Sequence, residues 1–268
     1  MKSASVNGVI IPKEEATLPI TSREVQMGFY VYESLRVLDG FVTRLGDHLD
    51  RLFDSAVGIH LTHPFTKEEV KTWVYELIEK DTIKDATVRL SLYGGQEPTL
   101  FIVPSSLLSY PDSYYREGVA AITFAGERLF PSYKSGSLLL NYVALEHARR
   151  LGAFEALLVD HEGRVLEGTR SNFFAFSNNT LHTADEDLVL GGITRSEVLR
   201  CAAELGFSID LAPIYLEDVR SGRFSEVFIS ATSMAALPLN RIDDLRFSSD
   251  FTRTRTLHDY VRAHQWRE

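Results

Sequence analysis

The sequence predicts a mixed α/β protein made of two halves, and three observations support this fold class. The chain has 268 residues, which at roughly 150 residues per domain suits one large domain or two modest ones. Patterns typical of strands alternate along the chain with apolar residues at helical spacing. A stretch rich in Ser, Pro, Tyr and Asp, Pro104 to Gly118, has no clear period. We therefore expect domains at residues 1–106 and 118–268, joined by a linker at 107–117.

Two hairpins and two helices are predicted in the first half. Asn7-Gly8 and Asp39-Gly40 each lie between apolar residues, a pattern typical of tight β-hairpins. Apolar residues recur at helical spacing from Leu49 to Ala56 and predict the first helix. Thr66, followed three residues later by Glu69, is a capping box that is expected to begin the second helix.

In the second half, strands and three longer helices are expected. A helix is predicted from about Leu138 to Leu151, and a terminal one from Phe251 to His264. Between them, Thr194 and Glu197 have the spacing of another capping box, which predicts a helix that ends at Gly206. The strands predicted around these helices lie at residues 119–124, 156–159, 164–166, 173–176 and 227–232.

Composition excludes several classes of protein. The chain carries 28 Lys and Arg against 37 Asp and Glu, a formal net charge of −9, which disfavours nucleic acid or an anionic membrane as the main partner. With one cysteine, Cys201, the chain has no intramolecular disulfide and no multi-thiolate metal site. No segment approaches the apolar length needed to span a bilayer, and no secretory leader is recognisable at the start. A cytoplasmic protein is expected.

Common catalytic signatures are also missing. The eight histidines are scattered, with no pair at ligand spacing, so we expect no metal. The sequence contains no G-x-S-x-G, no P-loop and no G-x-G-x-x-G. Hydrolase, nucleotide-binding and dinucleotide-binding interpretations therefore lose their main support.

Two residues stand out as candidates for chemistry. Lys134 lies among apolar and small residues before a predicted helix, where partial desolvation would favour the neutral amine that attacks carbonyl groups. Glu167 lies at the end of a predicted strand, followed by small polar residues. Taken alone, each stretch favours a solvated residue: a snorkelling lysine and a turn glutamate.

Three further segments could bind an anion. Gly191 and Gly192 lead into a predicted helix at Ile193-Thr194, and the free N–H groups of a helix N-terminus suit a phosphate. Ser230 to Ser233 ends a strand with three hydroxyl residues. Arg51 adds a cation, although pairing with Asp47 or Asp54 along its own helix is an alternative.

In this order and spacing, the segments resemble the class IV (fold type IV) pyridoxal-phosphate (PLP) aminotransferases. The resemblance runs from Arg23 through His48-x-x-Arg51-Leu52 to Pro238. Its most specific part is an ordered set of four motifs. These are Lys134, Glu167-Gly168-x-x-Ser171-Asn172, Gly192-Ile193-Thr194-Arg195 and Ser230-x-Thr232.

The resemblance implies a two-domain fold type IV enzyme, a PLP cofactor and a role for each motif. Lys134 is expected to carry PLP as a Schiff base and to move the α-proton of the substrate, while Glu167 faces the pyridine nitrogen. The residues expected around the cofactor phosphate are Ile193, Thr194, Thr232, Ser233 and Arg51. Tyr32, Arg36 and Arg89 are candidates for substrate contact. The family also implies a homodimer.

Departures from family patterns bear on the substrate. Branched-chain members usually carry Phe-x-Gly-x-Arg and Tyr-x-Arg, where this chain has Tyr32-Glu33-Ser34-Leu35-Arg36 and Thr87-Val88-Arg89. D-amino-acid members usually place an arginine where this chain has Tyr93, and lyase members have Thr-Thr in place of Glu33-Ser34. Branched-chain members often have an Asn-Tyr pair that lies closer to the lysine than Asn141-Tyr142 does here, so Tyr142 is interpreted as a helix residue.

The leading hypothesis is an aminotransferase that moves an amino group between a small or branched aliphatic amino acid and a 2-oxo acid. One alternative is aminodeoxychorismate lyase, which would release 4-aminobenzoate and pyruvate. A second is D-amino-acid aminotransferase, and a third is a family member that binds a ligand without turnover. The expected partners are small molecules, with no nucleic acid and no membrane.

Overall fold

The computed structural model describes residues 1–247 and 250–264, which divide into two units. The first unit comprises Met1–Leu108 together with Tyr133–Ser137. The second comprises Ser109–Ser132 and the described residues from 138 onward. Each unit contains its own sheet and its own helices, so the predicted mixed α/β class is confirmed.

The first unit is an antiparallel sheet with strand order β2-β1-β6-β5-β3-β4. Along β3 buried and half-exposed residues alternate, and the buried ones pack with α2 and α3 into one apolar core. The elements are β1 (Ser3–Val6), β2 (Val9–Pro12), a 3-10 turn (Lys13–Glu15), α1 (Arg23–Gln26), β3 (Tyr30–Leu38), β4 (Phe41–Val42), α2 (Leu45–Gly58), α3 (Lys67–Lys80), β5 (Ala86–Tyr93) and β6 (Thr99–Ser105).

The second unit is a mixed sheet that curls until two of its strands meet. The order is β12-β11-β10-β14-β15-β7-β8-β9-β13, β16 pairs with β15, and β9 also pairs with β10. The elements are α4 (Asp112–Glu117), β7 (Val119–Ala125), α5 (Leu139–Arg150), β8 (Glu155–Val159), β9 (Arg164–Gly168), β10 (Asn172–Ser177), β11 (Thr180–His182), α6 (Ile193–Glu204), β12 (Ser208–Asp210), β13 (Ile214–Tyr215), α7 (Leu216–Arg220), β14 (Glu226–Ala231), β15 (Ala235–Ile242), β16 (Leu245–Arg246) and α8 (Thr252–His264).

Local sequence signals predicted several of these elements. Both hairpins form, and Asn7-Gly8 and Asp39-Gly40 adopt the positive φ angles that their tight turns require. The Thr66–Glu69 capping box is present at the start of α3. The predicted helices at residues 138–151 and 251–264 correspond to α5 and α8 within one residue at each end.

Two expectations differ from the structure. The segment between β6 and β7, expected to lack a regular element, contains the short helix α4. The predicted Thr194–Glu197 capping box is wrong. Gly192, with extended backbone angles, is the N-cap of α6, so Thr194 already lies inside the helix and Glu197 pairs with Arg200. No helix in the described residues is long and apolar enough to cross a membrane.

The capping box of α3 offers a direct test of this local interpretation. Thr66→Ala removes the hydroxyl that accepts a hydrogen bond from the Glu69 backbone and donates to its side chain. We expect a loss of about 1 kcal/mol in the free energy of unfolding, measured with denaturant. Thr72→Ala, at an exposed position inside the same helix, is the control and should not destabilise the protein, because alanine favours helix. Equal stability of the two variants would contradict the assignment.

Candidate active site

Lys134 lies in a short segment that extends the sheet of the first unit. Tyr32 N donates to Lys134 O at 3.0 Å and Gly136 N donates to Tyr30 O at 2.7 Å. Lys134 N also donates to Ser55 Oγ at 3.0 Å, on α2. Gly136 is required here, because a Cβ would lie 2.4 Å from Gly28 O. The backbone of Lys134 is therefore fixed from both sides.

The candidate substrate residues share one face of this sheet with the Lys134 side chain. Lys134 Nζ lies 4.5 Å from the centroid of the Tyr32 ring, and Arg89 Cζ lies 4.1 Å from the same centroid. Arg36, on the same face of β3, donates through Nη1 to Leu108 O at 3.2 Å. In the described strands β3 and β5 this face carries no acidic residue. Its positive charge suits a substrate carboxylate.

The opposite face of β3 carries a buried ionic cluster of Glu33, His48 and Arg51. Arg51 Nε and Nη2 donate to the two Glu33 oxygens at 2.7 and 2.8 Å, and His48 Nδ1 lies 2.8 Å from Oε2. Burial alone would raise the pKa of Glu33, but Arg51 and His48 outweigh it and hold the pKa well below its usual range. Burial lowers the pKa of His48, and Glu33 opposes this only in part.

Arg51 therefore has a different partner from those expected. Asp47 pairs with Arg44 instead, and the carboxylate that Arg51 meets, Glu33, comes from the neighbouring strand. The bidentate contact ties α2 to β3 beside the Lys134 segment. Sequence analysis missed the pairing of Glu33 and His48, although strand alternation next to Tyr32 was a signal for burial of Glu33.

In the second unit, Glu167 is a buried carboxylate at the end of β9. Oε1 accepts from Arg128 Nη1 at 3.2 Å, and Oε2 accepts from Leu190 N at 3.3 Å. Arg128 Nη1 also donates to Pro131 O at 2.9 Å. These contacts fix the orientation of the carboxylate. No pattern in the sequence indicated Arg128, which lies 39 residues away from Glu167.

Asn172 connects this carboxylate to the loop before α6. It lies directly opposite Glu167 on one neighbouring strand and Ser230 on the other. Its Nδ2 donates to Leu190 O at 2.8 Å. A Cβ on Gly192 would lie 2.2 Å from Asn172 Oδ1, so any larger residue would require the Asn172 side chain to move.

The start of α6 and the end of β14 supply unpaired polar groups for an anion. The N-cap Gly192 provides no side-chain acceptor for the first-turn N–H groups of α6, which include those of Ile193 and Thr194. Ser230 Oγ is buried and has no hydrogen-bond partner among the described residues. Strand alternation places Ser230 on the side of Phe228, which packs in the same apolar cluster as α6.

The remaining expected residues follow β14 or lie elsewhere. Thr232 and Ser233 are half-buried in the turn after the strand, and Ser233 O accepts from Arg262 Nη2 at 2.9 Å. Tyr142 is exposed on α5, in agreement with its interpretation as a helix residue. Tyr93 stacks on Tyr30 with ring centroids 4.6 Å apart, and burial raises its pKa.

Comparison with known proteins identifies the family. The family model for amino-transferase class IV matches residues 30–242. The chain belongs to the class IV aminotransferases. A putative branched-chain-amino-acid aminotransferase of Methanocaldococcus jannaschii is 31% identical over 255 residues, covering 89% of this chain and 87% of the relative. A D-alanine aminotransferase of Listeria monocytogenes is 32% identical over 274 aligned positions, covering 95% and 93%.

Solved structures agree with this assignment. The branched-chain aminotransferase of Thermoproteus uzoniensis, determined with norvaline, superposes with a TM-score of 0.90 at 27% identity over 98% of this chain and 94% of that one. The T.th. branched-chain amino acid aminotransferase, determined with pyridoxamine 5'-phosphate, has the same fold with a TM-score of 0.91 at 23% identity, over 98% of this chain and 94% of that one. The fold type IV architecture expected from the sequence is confirmed, and the protein is a transaminase.

The buried ionic cluster of this aminotransferase makes its stability depend on pH. The pKa of His48 is lowered from 6.5, so below about pH 6.5 the unfolded chain binds a proton that the folded state does not, and stability falls. The pKa of Glu33 is also lowered, so the stability it contributes is present above about pH 4.5 and is lost as the pH falls further. We expect denaturant unfolding of the protein without added ligand to show both declines.

His48→Asn isolates the first decline, because asparagine can still donate to Glu33 but does not titrate. Other histidines with lowered pKa values, His63 and His258, remain in this variant. The loss of stability between pH 7 and pH 5 should therefore be smaller in the variant than in the wild type. An identical loss in both proteins would show that His48 does not contribute.

Proposed function

We propose that the protein is a PLP-dependent aminotransferase that transfers an amino group between a small or branched aliphatic amino acid and a 2-oxo acid. The observation that carries the proposal is the position of Lys134. Its backbone is fixed against β3 and α2. Its amine lies over Tyr32, on the face of β3 and β5 that carries two arginines and no acidic residue. The relatives that are named branched-chain aminotransferases support this substrate class.

The donor set of the second unit fits PLP. The cofactor has a basic ring nitrogen and a phosphate, and the unit offers a buried carboxylate at Glu167, an uncapped helix start at Ile193 and an unpartnered hydroxyl at Ser230. A carboxylate suits a protonated nitrogen, and N–H groups with hydroxyls suit a phosphate. The relative determined with pyridoxamine 5'-phosphate supports the same cofactor.

Each residue then has a defined task. When bound, PLP supplies an electron sink for the pair of electrons released at the substrate α-carbon. Lys134 Nζ would hold the cofactor, and its amine would accept and return the α-proton. Glu167 holds the proton on the ring nitrogen, and Arg128 with Leu190 N keeps that carboxylate in place.

The phosphate is bound by N–H groups and hydroxyls. Of the arginines, Arg36 and Arg89 contact the substrate, whereas Arg51 pairs with Glu33 of β3. The backbone of Ile193 and Thr194 and the hydroxyls of Thr232 and Ser233 bind the phosphate. Arg51, which is engaged with Glu33, adds positive charge rather than a free donor. Tyr32, Arg36 and Arg89 bind and orient the substrate carboxylate, which sets the α-carbon for proton transfer. The homodimer expected from the resemblance stays a prediction.

Absorbance spectroscopy tests the proposal. Purified protein with added PLP should show a visible absorbance band, and Lys134→Ala should lose both the band and turnover, because the amine proposed to bind the cofactor covalently is removed. Lys67→Ala, which removes an exposed lysine paired with Asp50, is the matched control and should keep both. Absence of the band in the wild type, or its persistence in Lys134→Ala, would overturn the proposal.

A half-reaction panel then defines the substrate. L-leucine and L-valine are expected to convert the PLP form to the pyridoxamine form, whereas D-alanine should not. Conversion by D-alanine alone would favour the D-amino-acid alternative, which the D-alanine aminotransferase relatives also support. Release of pyruvate from aminodeoxychorismate without any amino acceptor would instead indicate the lyase.

Arg36 provides a test of the carboxylate assignment. Arg36→Ala should raise KM for the amino acid by about tenfold or more while kcat and the affinity for PLP change little, because a ground-state contact is lost. Arg116→Ala, which removes an exposed arginine of α4, is the control and should leave KM unchanged. A loss of PLP affinity with an unaltered KM would assign Arg36 to the cofactor instead.

A further inference from the structure

Glu155, the first residue of β8, organises the turn that links Glu167 to Asn172. Its carboxylate is fully buried. Oε1 accepts from the hydroxyl of Thr169, from Thr169 N at 3.2 Å and from Ala156 N at 3.0 Å. Oε2 accepts from Ser171 Oγ at 3.0 Å. A single side chain thus satisfies donors from both sides of the turn.

Further contacts hold the turn itself. Gly168 N donates to Ser171 O at 2.7 Å, and Asn141 Nδ2 donates to Thr169 O at 2.6 Å. A Cβ on Gly168 would lie 2.1 Å from Ser171 Oγ and 3.1 Å from the carboxyl carbon of Glu155. The backbone of residues 168–171 is therefore packed directly onto the Glu155 carboxylate.

This turn sets the position of two residues of the site at once. Glu167 precedes it, Asn172 follows it, and the two lie opposite each other where β9 meets β10. Leu190 joins them, because its N–H donates to Glu167 and its carbonyl accepts from Asn172. A shift of the turn would move the Glu167 carboxylate and loosen the loop before α6.

We propose that Glu155 is a positioning residue for the aminotransferase reaction, acting through the turn at residues 168–171 to fix Glu167. The proposal rests on the proposed function, in which Glu167 holds the proton on the cofactor nitrogen. Without the carboxylate, the donors of Thr169 and Ser171 lose a buried acceptor. Buried donors without partners are costly, so the turn opens toward other acceptors.

A purely structural role is the competing explanation, and the chain contains a matched control for it. Asp160 is a second buried carboxylate, at the opposite end of the β8–β9 hairpin. Its Oδ1 accepts from Glu162 N at 3.0 Å and Arg164 N at 2.9 Å, and Oδ2 accepts from Arg164 Nε at 2.6 Å. Asp160 therefore holds a turn in the same way, but that turn carries no residue of the site.

The experiment compares Glu155→Gln with Asp160→Asn by hydrogen exchange without cofactor and by spectroscopy and kinetics with PLP. We expect thermal midpoints lowered to a similar extent. In Glu155→Gln, exchange should accelerate about tenfold or more at residues 167–172 and 188–192, and in Asp160→Asn only at 160–164. Glu155→Gln should lower kcat about tenfold with little change in KM and shift the pH dependence of the visible band. Asp160→Asn should leave kcat, KM and the pH dependence of the band unchanged.

Ser171→Ala is a milder variant that keeps the test decisive if Glu155→Gln does not fold. It removes one donor to Oε2 and should show the same localised exchange with a smaller loss of kcat. Unchanged exchange at 188–192 together with unchanged kcat and band, in either variant, would overturn the inference. So would equal losses in Asp160→Asn. A wild-type protein with no visible band would instead reject the proposed function itself.

Discussion

The second unit depends on one pairing, that of Glu167 with Asn172, where β9 meets β10. Through this pairing the curled sheet closes on itself, because it joins β9 back to β10. Each strand otherwise pairs only with its neighbours in the order β10, β14, β15, β7, β8 and β9. Residues at such a closure have little freedom, because both flanking strands are anchored by their other neighbours. The Glu167 carboxylate is thus held in place by the architecture as well as by its own contacts.

The first unit depends on a different constraint, a charged cluster inside an apolar core. Glu33 lies on the buried face of β3 among valine and leucine side chains. Such a carboxylate is tolerated because Arg51 supplies the opposite charge and both Arg51 and His48 contact its oxygens. Removing one partner from such a cluster is far more costly than removing all of it. The cluster fixes the register of α2 on β3, and α2 in turn supplies Ser55 to the lysine segment.

Sequence reasoning worked where the determining contacts are local. The Asn7-Gly8 hairpin and the Thr66 capping box involve residues within four positions of each other, and both form. The predicted Thr194 capping box was wrong. Its residues fit the motif, but the helix begins two residues earlier, after the extended backbone of Gly192. When two positions could begin a helix, the preceding loop decides between them. Here Asn172, on a strand distant in sequence, holds that loop.

The sequence indicated candidate residues for the site but not the contacts that they make. Lys134 and Glu167 were indicated by a resemblance in motif order, and the structure places each on a fixed backbone. Arg128 and Glu33 were missed because their partners lie 39 and 18 residues away, beyond any periodic signal. Arg51 was expected at the cofactor phosphate, with nearby aspartates as the alternative, and its pairing with Glu33 was missed because local spacing does not show which strand packs against a helix.

The segment Tyr133–Ser137 belongs to the first unit although it lies between two stretches of the second, and this limits how the protein can be recombined with its relatives. These residues pair with β3, although the chain before and after them belongs to the second unit. Neither unit is therefore one uninterrupted stretch of sequence. A single exchange point near residue 108 would give a recombinant whose Lys134 segment and β3 come from different parents. Recombination between relatives would thus keep the lysine with its own sheet only if two further exchange points were added, one on each side of residues 133–137.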